Sequence, residues 1–170
     1  MAYLIKQLSL KHIDEITSIV SYAIKNDFPE YKKETNLAYL QIFNKEFFTK
    51  FLKDHKKHIF SAFSKNVLTG FVCMKEDFGG VLFIDWLVVK KEFRKKGVGT
   101  FLLNETAKWA LKNKFHYLYL FTESNQNIAF YEKRGFRYIG KHLNSWFGET
   151  EHELGKSLRD KPFPEIFSKK

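Results

Sequence analysis

Six consecutive residues, Arg94-Lys95-Lys96-Gly97-Val98-Gly99, combine three cations with two glycines two positions apart. That composition suits a large anionic ligand, because glycine lets backbone and ligand approach closely while the cations add favourable charge. The flanking residues show how the backbone can help. Upstream, Val81–Val89 is a mostly apolar run rich in Val, Ile and Phe, which fits a well-buried strand. Downstream, Phe101, Leu102, Leu103, Ala107, Trp109, Ala110 and Leu111 recur every three to four residues, so a helix is expected over Thr100–Asn113. Strand, glycine turn and helix start, in that order, present free backbone N–H groups and the positive helix end to an anion. Gly97 is suited to a positive φ. A cradle for a diphosphate is the chemistry these residues imply.

The spacing excludes two common alternatives. A kinase-type phosphate loop needs Lys and then Ser or Thr directly after its glycines, and Val98 and Gly99 occupy those places. A dinucleotide fingerprint needs three glycines and an acidic residue about twenty positions on, whereas this stretch has two glycines and position 119 is Tyr. The six histidines have neither metal-ligand spacing nor an evident triad, so no metal is expected.

The elements that must position the turn can be read in order. Tyr3–Leu8 reads as a first strand, followed by a helix carrying Ile13, Ile16, Ile19, Val20 and Ala23. Asn26, Asp27 and Pro29 interrupt that pattern. From Lys33 to Asp54 the pattern is helical again, as one long helix or two short ones. His58–Phe63 and Val67–Lys75 are the next strands, with a turn at Asp77–Gly80 leading into Val81–Val89. A fifth strand, His116–Phe121, precedes a helix from about Gln126 to Arg134, with Ser124 or Asn125 as its cap and Gly135 at its end. Phe136–Leu143 and Glu151–Leu158 close the sheet as two antiparallel strands. The fold class is therefore α/β (mixed α+β), one domain over residues 1–170, with a mostly antiparallel mixed sheet of about seven strands flanked by helices. Pro162 and Pro164 make 161–170 an irregular tail.

The turn Arg94–Gly99 resembles the acyl-CoA-binding turn of the GCN5-related N-acetyltransferases: Arg or Gln, two residues, Gly, one residue, Gly or Ala. Lys95 stands where that family commonly has a glycine. The segment Asn125–Phe136 is similar to the family's short helix that ends in Tyr and, four residues later, Gly-Phe. The resemblance implies acetyl-CoA as cosubstrate, held by Arg94, Lys95, Lys96, Gly97, Val98, Gly99 and Thr100 and by backbone at Leu87, Val88 and Val89. It also implies a contact from Asn125 or Asn127, and Tyr131 close to the acyl-CoA sulfur. The fourth and fifth strands are expected to splay and admit the pantetheine arm.

The implied reaction passes acetyl from the thioester to a primary amine through a tetrahedral adduct. Tyr131, a phenol, can protonate the leaving thiolate. Asp85 can deprotonate the amine, directly or through water, or instead bind its ammonium or join a rim network. The segment Tyr138–Leu158 broadly resembles polyamine and small-amine acetyltransferases of the family, and Glu149, Glu151 and Glu153 favour a cationic acceptor. A peptide N-terminus, a lysine, an aminoglycoside, or a non-enzymatic CoA-binding regulatory role are the alternatives. Glu46, on a helix bordering the acceptor cleft in that family, is expected to be solvated.

At 170 residues and 20.2 kDa the chain is long enough for a sizeable core. Its net charge of +10 is spread along the sequence, without zinc-finger spacing or RNP-like strands, so nucleic acid is disfavoured as a partner. The single cysteine, Cys73, precludes an internal disulfide and suits a reducing compartment. No apolar run is long enough to span a membrane, and the start MAYLIKQLS is unlike a secretory signal, so a cytoplasmic location is expected. A homodimer is compatible with the sequence, but no interface can be read from it.

Overall fold

The computed structural model describes residues 2–159; the tail expected at 161–170 lies outside them. One seven-stranded sheet runs in the order β1 (Leu4–Gln7), β2 (Lys57–Ser64), β3 (Val67–Asp77), β4 (Val81–Val89), β5 (Tyr117–Thr122), β7 (Glu151–Ser157), β6 (Arg137–His142). Neighbours are antiparallel except β4 and β5. That parallel pair needs a crossover, supplied by α4 (Val98–Lys112). On one face, α1 (Ile13–Asn26), α2 (Lys33–Ile42) and α3 (Lys45–Lys53) bury Ile16, Val20, Phe48 and Phe51 against Phe71 and Cys73 of β3. On the other, α4 and α5 (Asn125–Glu132) bury Leu102, Leu103 and Tyr131 against Val72, Met74, Leu118 and Leu120. Alternation along Phe71–Met74 of β3 thus serves two cores at once.

The long helical pattern after Pro29 divides in two. Asn44 lies between α2 and α3, and its side chain accepts the Phe47 N–H at 3.0 Å, so it caps the second helix and separates it from the first. Ser124 caps α5 by accepting the Asn127 N–H at 3.2 Å. Helix α4 starts at Val98, two residues earlier than expected, because Gly97 takes a left-handed conformation (φ +86°) and hands the chain directly into the helix.

β4 carries the decisive irregularity. Cys73 lies opposite Trp86 and Met74 opposite Ile84, which leaves Asp85 without a partner in β3. One extra residue on one strand is a β-bulge, and it reverses the alternation beyond it. Leu82 and Ile84 accordingly pack in the α4/α5 core, whereas Trp86 and Val88 pack in the α1–α3 core. Pairing between β4 and β5 ends at the same point, Ile84 opposite Leu120. The expected splay is present: from Trp86 to Val89, β4 is paired with β3 alone.

Candidate active site

Two cavities meet at this opening. The larger, of about 1120 Å³, is bounded by β4, by the turn before α4 and by the start of α5. The smaller, of about 380 Å³, lies among β4, β5, the chain around α2 and the loop before β7. Phe28, Trp86, Leu87, Glu123, Asn127 and Tyr131 belong to both walls.

The larger cavity gathers most of the residues predicted to hold a cofactor. Leu87, Val88, Val89, Arg94, Lys95, Gly97, Val98, Gly99, Thr100, Asn125, Asn127 and Tyr131 all line it. Lys96 does not: its ammonium lies 5.6 Å from the Phe93 ring centroid, and its carbonyl accepts the Tyr3 hydroxyl at 2.8 Å. Lys95 (φ +57°) and Gly97 (φ +86°) are both left-handed, the kind of turn whose successive amides line an anion-binding concavity. A Cβ on Gly99 would meet Phe130 at 3.0 Å, so this glycine is what lets the start of α4 pack on α5.

Arg94 is a brace as well as a charge. Its Nη1 and Nη2 donate to the two carboxylate oxygens of Asp27 at 2.8 and 2.5 Å, and its Nε donates to the Val89 carbonyl at 3.1 Å. The turn is thereby tied to the end of α1 and the end of β4, and the hydrogen bonding to Asp27 strengthens the guanidinium's hold on its proton. A second arginine, Arg134, lines the same cavity and was not singled out from sequence. It donates from Nε to Thr100 Oγ1 at 2.8 Å and lies 3.6 Å over the Phe130 ring. Its position three residues after Tyr131 was visible, but a charged residue after a short helix ordinarily reads as solvated surface.

The smaller cavity is aromatic and acidic. Tyr31, Tyr39, Phe43, Phe83, Phe121, Trp146 and Phe147 supply rings, and its ionisable wall comprises Asp85, Glu123, Glu151 and one cation, Lys75. Asp85 Oδ2 lies 2.6 Å from Lys75 Nζ; burial pushes the carboxyl up and Lys75 pulls it back. Glu151 accepts the Tyr31 hydroxyl at 2.8 Å, and burial raises its carboxyl too. The other two carboxylates of the segment do not reach the wall. Glu149 is a strut that accepts from Thr35 Oγ1 at 2.5 Å and the Lys32 N–H at 3.0 Å, bonds that hold it below the usual carboxylate range. Glu153 pairs with His142 at 3.0 Å. Glu46 is on the surface with Lys50, 2.7 Å away, and lines neither cavity.

Tyr131 packs edge-on between Phe130 and Phe136, with ring centroids 5.1 and 5.5 Å away. Burial raises its phenol, and hence keeps it protonated. Among the described residues its hydroxyl has no hydrogen-bond partner, although the residue lines both cavities. Glu123, the first residue after β5, is the other titratable group on both walls and carried no sequence motif. Cys73 is fully buried, its thiol raised by burial, as suits packing. Among the described residues no three His, Cys, Asp or Glu side chains are grouped to hold a metal, and no helix is long and apolar enough to cross a membrane.

Comparison with known proteins agrees with this geometry. Residues 21–136 match the acetyltransferase (GNAT) family. Streptothricin acetyltransferase A of Bacillus subtilis (strain 168) is 33% identical over 88 residues, 51% of each chain, so the similarity spans about half the length of that relative. Among solved structures, the PaiA N-acetyltransferase from Thermoplasma acidophilum in complex with coenzyme A superposes with a TM-score of 0.81 at 20% identity, over 92% of this chain and 99% of that one. Aminoglycoside 6'-acetyltransferase type Ii gives 0.73 at 18% identity, over 94% and 99%. At those identities the structural likeness concerns the fold.

Proposed function

We propose, for a chain that belongs to the acetyltransferase (GNAT) family, that it transfers acetyl from acetyl-CoA to a primary amine of a small cationic acceptor. The observation that carries this reading is the meeting of two cavities at the β4–β5 opening, with Tyr131, whose hydroxyl has no hydrogen-bond partner among the described residues, lining both. The larger cavity takes the CoA: the Lys95–Gly99 turn and the start of α4 meet the diphosphate, and the pantetheine arm follows the open edge of β4 at Leu87–Val89. Asn125, on the larger cavity alone, and Asn127, on both, are the amides within reach of that arm. Free N–H groups of the open edge stabilise the oxyanion of the tetrahedral adduct. Tyr131 gives its proton to the departing thiolate. A carboxylate of the smaller cavity deprotonates the amine; Asp85, the residue expected from the sequence, is ion-paired with Lys75, so an incoming ammonium has to compete for it.

The acceptor class follows from the smaller cavity. Three carboxylates against one lysine, among seven or more rings, favour a cation with apolar surface, in a chain whose net charge is +10. A polyamine or another small amine fits. Streptothricin is the second reading, favoured by the partial similarity to streptothricin acetyltransferase A.

Calorimetric titration with acetyl-CoA tests the first half of the proposal; absence of binding at millimolar concentration by folded protein would end it. A panel of spermidine, streptothricin, an aminoglycoside and simple peptides tests the second. Peptides preferred a hundredfold in kcat/KM would replace the small-amine acceptor.

A further inference from the structure

We propose that Glu123, where the two cavities meet, binds the acceptor's ammonium and removes its proton directly, with Asp85 in a supporting electrostatic role. The inference rests on the acetyl-transfer reading and assigns a residue within it. Glu123 lies on the walls of both cavities, as Tyr131 does, so proton acceptor and proton donor border the same opening. Its carboxylate is held in place: Asn127 Nδ2 donates to Oε1 at 3.1 Å and Thr122 Oγ1 lies 3.4 Å from Oε2.

The contrast with Asp85 decides the assignment. Asp85 has a cation 2.6 Å away, whereas no described Lys, Arg or His forms an ion pair with Glu123. The titratable groups that act on Glu123 are Glu30 after α1, Tyr31 and Tyr39, Tyr131 of α5 and Glu151 of β7, none of them a cation; Lys75, Arg94, Lys95 and Arg134 line the same cavities, but none forms an ion pair with it. Burial, then Glu30 and Glu151, push this carboxyl up to about 7, against the pull of its own backbone N–H and Thr122. A base with that property is about half ionised at neutrality and strong enough to take a proton in the transition state. An acceptor ammonium supplies the absent counter-charge.

The protons balance. One proton of R–NH3⁺ passes to Glu123, and the freed lone pair forms the C–N bond as the carbonyl electrons move to oxygen. Collapse re-forms the carbonyl and breaks C–S; Tyr131 protonates the sulfur and is reprotonated by the second nitrogen proton. The proton on Glu123 leaves to solvent. The amide keeps one hydrogen, and the net products are amide, CoA thiol and H⁺.

The test is kcat/KM against pH for wild type, Glu123→Gln and Asp85→Asn, with the amine that the wild type acetylates fastest, and acetyl-CoA affinity measured by calorimetry on each. Wild type should rise through about 7 and stay level up to the amine's own pKa, about 10. Glu123→Gln should fall by about 10²–10⁴-fold near neutrality, lose the plateau, and climb roughly tenfold per pH unit as free amine becomes available, with acetyl-CoA affinity within about threefold of wild type. Asp85→Asn should lose less and keep the plateau. Glu123→Asp retains a carboxylate and should keep the rise near neutrality at reduced height, which covers the case in which the Gln variant does not fold. A Glu123→Gln enzyme within about threefold of wild type, with the plateau intact, overturns the assignment. A wild type that binds acetyl-CoA but acetylates no amine overturns the acetyl-transfer reading, and Glu123's role with it.

Discussion

Replacing Tyr131 with Phe removes a single oxygen, and the structure separates its consequences for stability from those for rate. The ring contacts to Phe130 and Phe136 do not involve the hydroxyl, and no described group bonds to it, so no buried partner is orphaned. The variant should therefore unfold within about 1 kcal/mol of wild type, whereas Tyr131→Ala, which empties the ring's site in the core, should cost about 3–5 kcal/mol. Rate should behave differently. A positioned general acid contributes about 10²–10⁴-fold, or about 2.7–5.4 kcal/mol of transition-state free energy. The assay pairs denaturant unfolding with single-turnover acetyl transfer and acetyl-CoA calorimetry on the same preparations. Unchanged stability and affinity with a hundredfold or greater loss of turnover support Tyr131 as the acid. Turnover within about threefold across the working pH range would make it a packing residue and refute the reasoning.

Three further outcomes are expected. Arg94→Ala should loosen the turn from Asp27 and Val89, with acetyl-CoA affinity falling about tenfold by calorimetry and stability by only about 1 kcal/mol, because the ion pair is partly exposed. Lys95→Gly should raise the unfolding free energy by about 0.5–1 kcal/mol, since the left-handed conformation at φ +57° is unfavourable for a residue with a Cβ. Because the folded protein raises the Glu123 carboxyl from 4.5 to about 7, its protonated form favours folding below 4.5; that contribution is lost as pH rises through about 7. Thermal unfolding of wild type relative to Glu123→Gln should accordingly weaken across pH 4.5 to 7 and level off above it, by about 3 kcal/mol at most; a difference that does not vary with pH would show Glu123 to titrate normally.

Much of this architecture was legible locally. Strand and helix periods depend on near neighbours, so the seven strands, α4, α5 and the glycine turn could be read from the order of apolar residues. The Arg94–Gly99 turn and the Asn125–Phe136 helix were legible because backbone conformation there restricts which residues fit. What the sequence left open was wherever two distant segments choose each other. The break between α2 and α3 needed the Asn44 cap, and insertion of β7 between β5 and β6 needed the sheet. Asp85 reads as one polar residue in an apolar strand; only the pairing with β3 makes it a bulge that redirects Trp86 and Val88 and opens the sheet. Glu149, Glu151 and Glu153 look equivalent along the chain, yet their partners are Thr35, Tyr31 and His142, and one alone reaches the cavity. Glu123 carries no motif at all. Its candidacy comes from burial beside two other carboxylates contributed by distant segments, and desolvation and charge act through space, where the order of residues along the chain has no say.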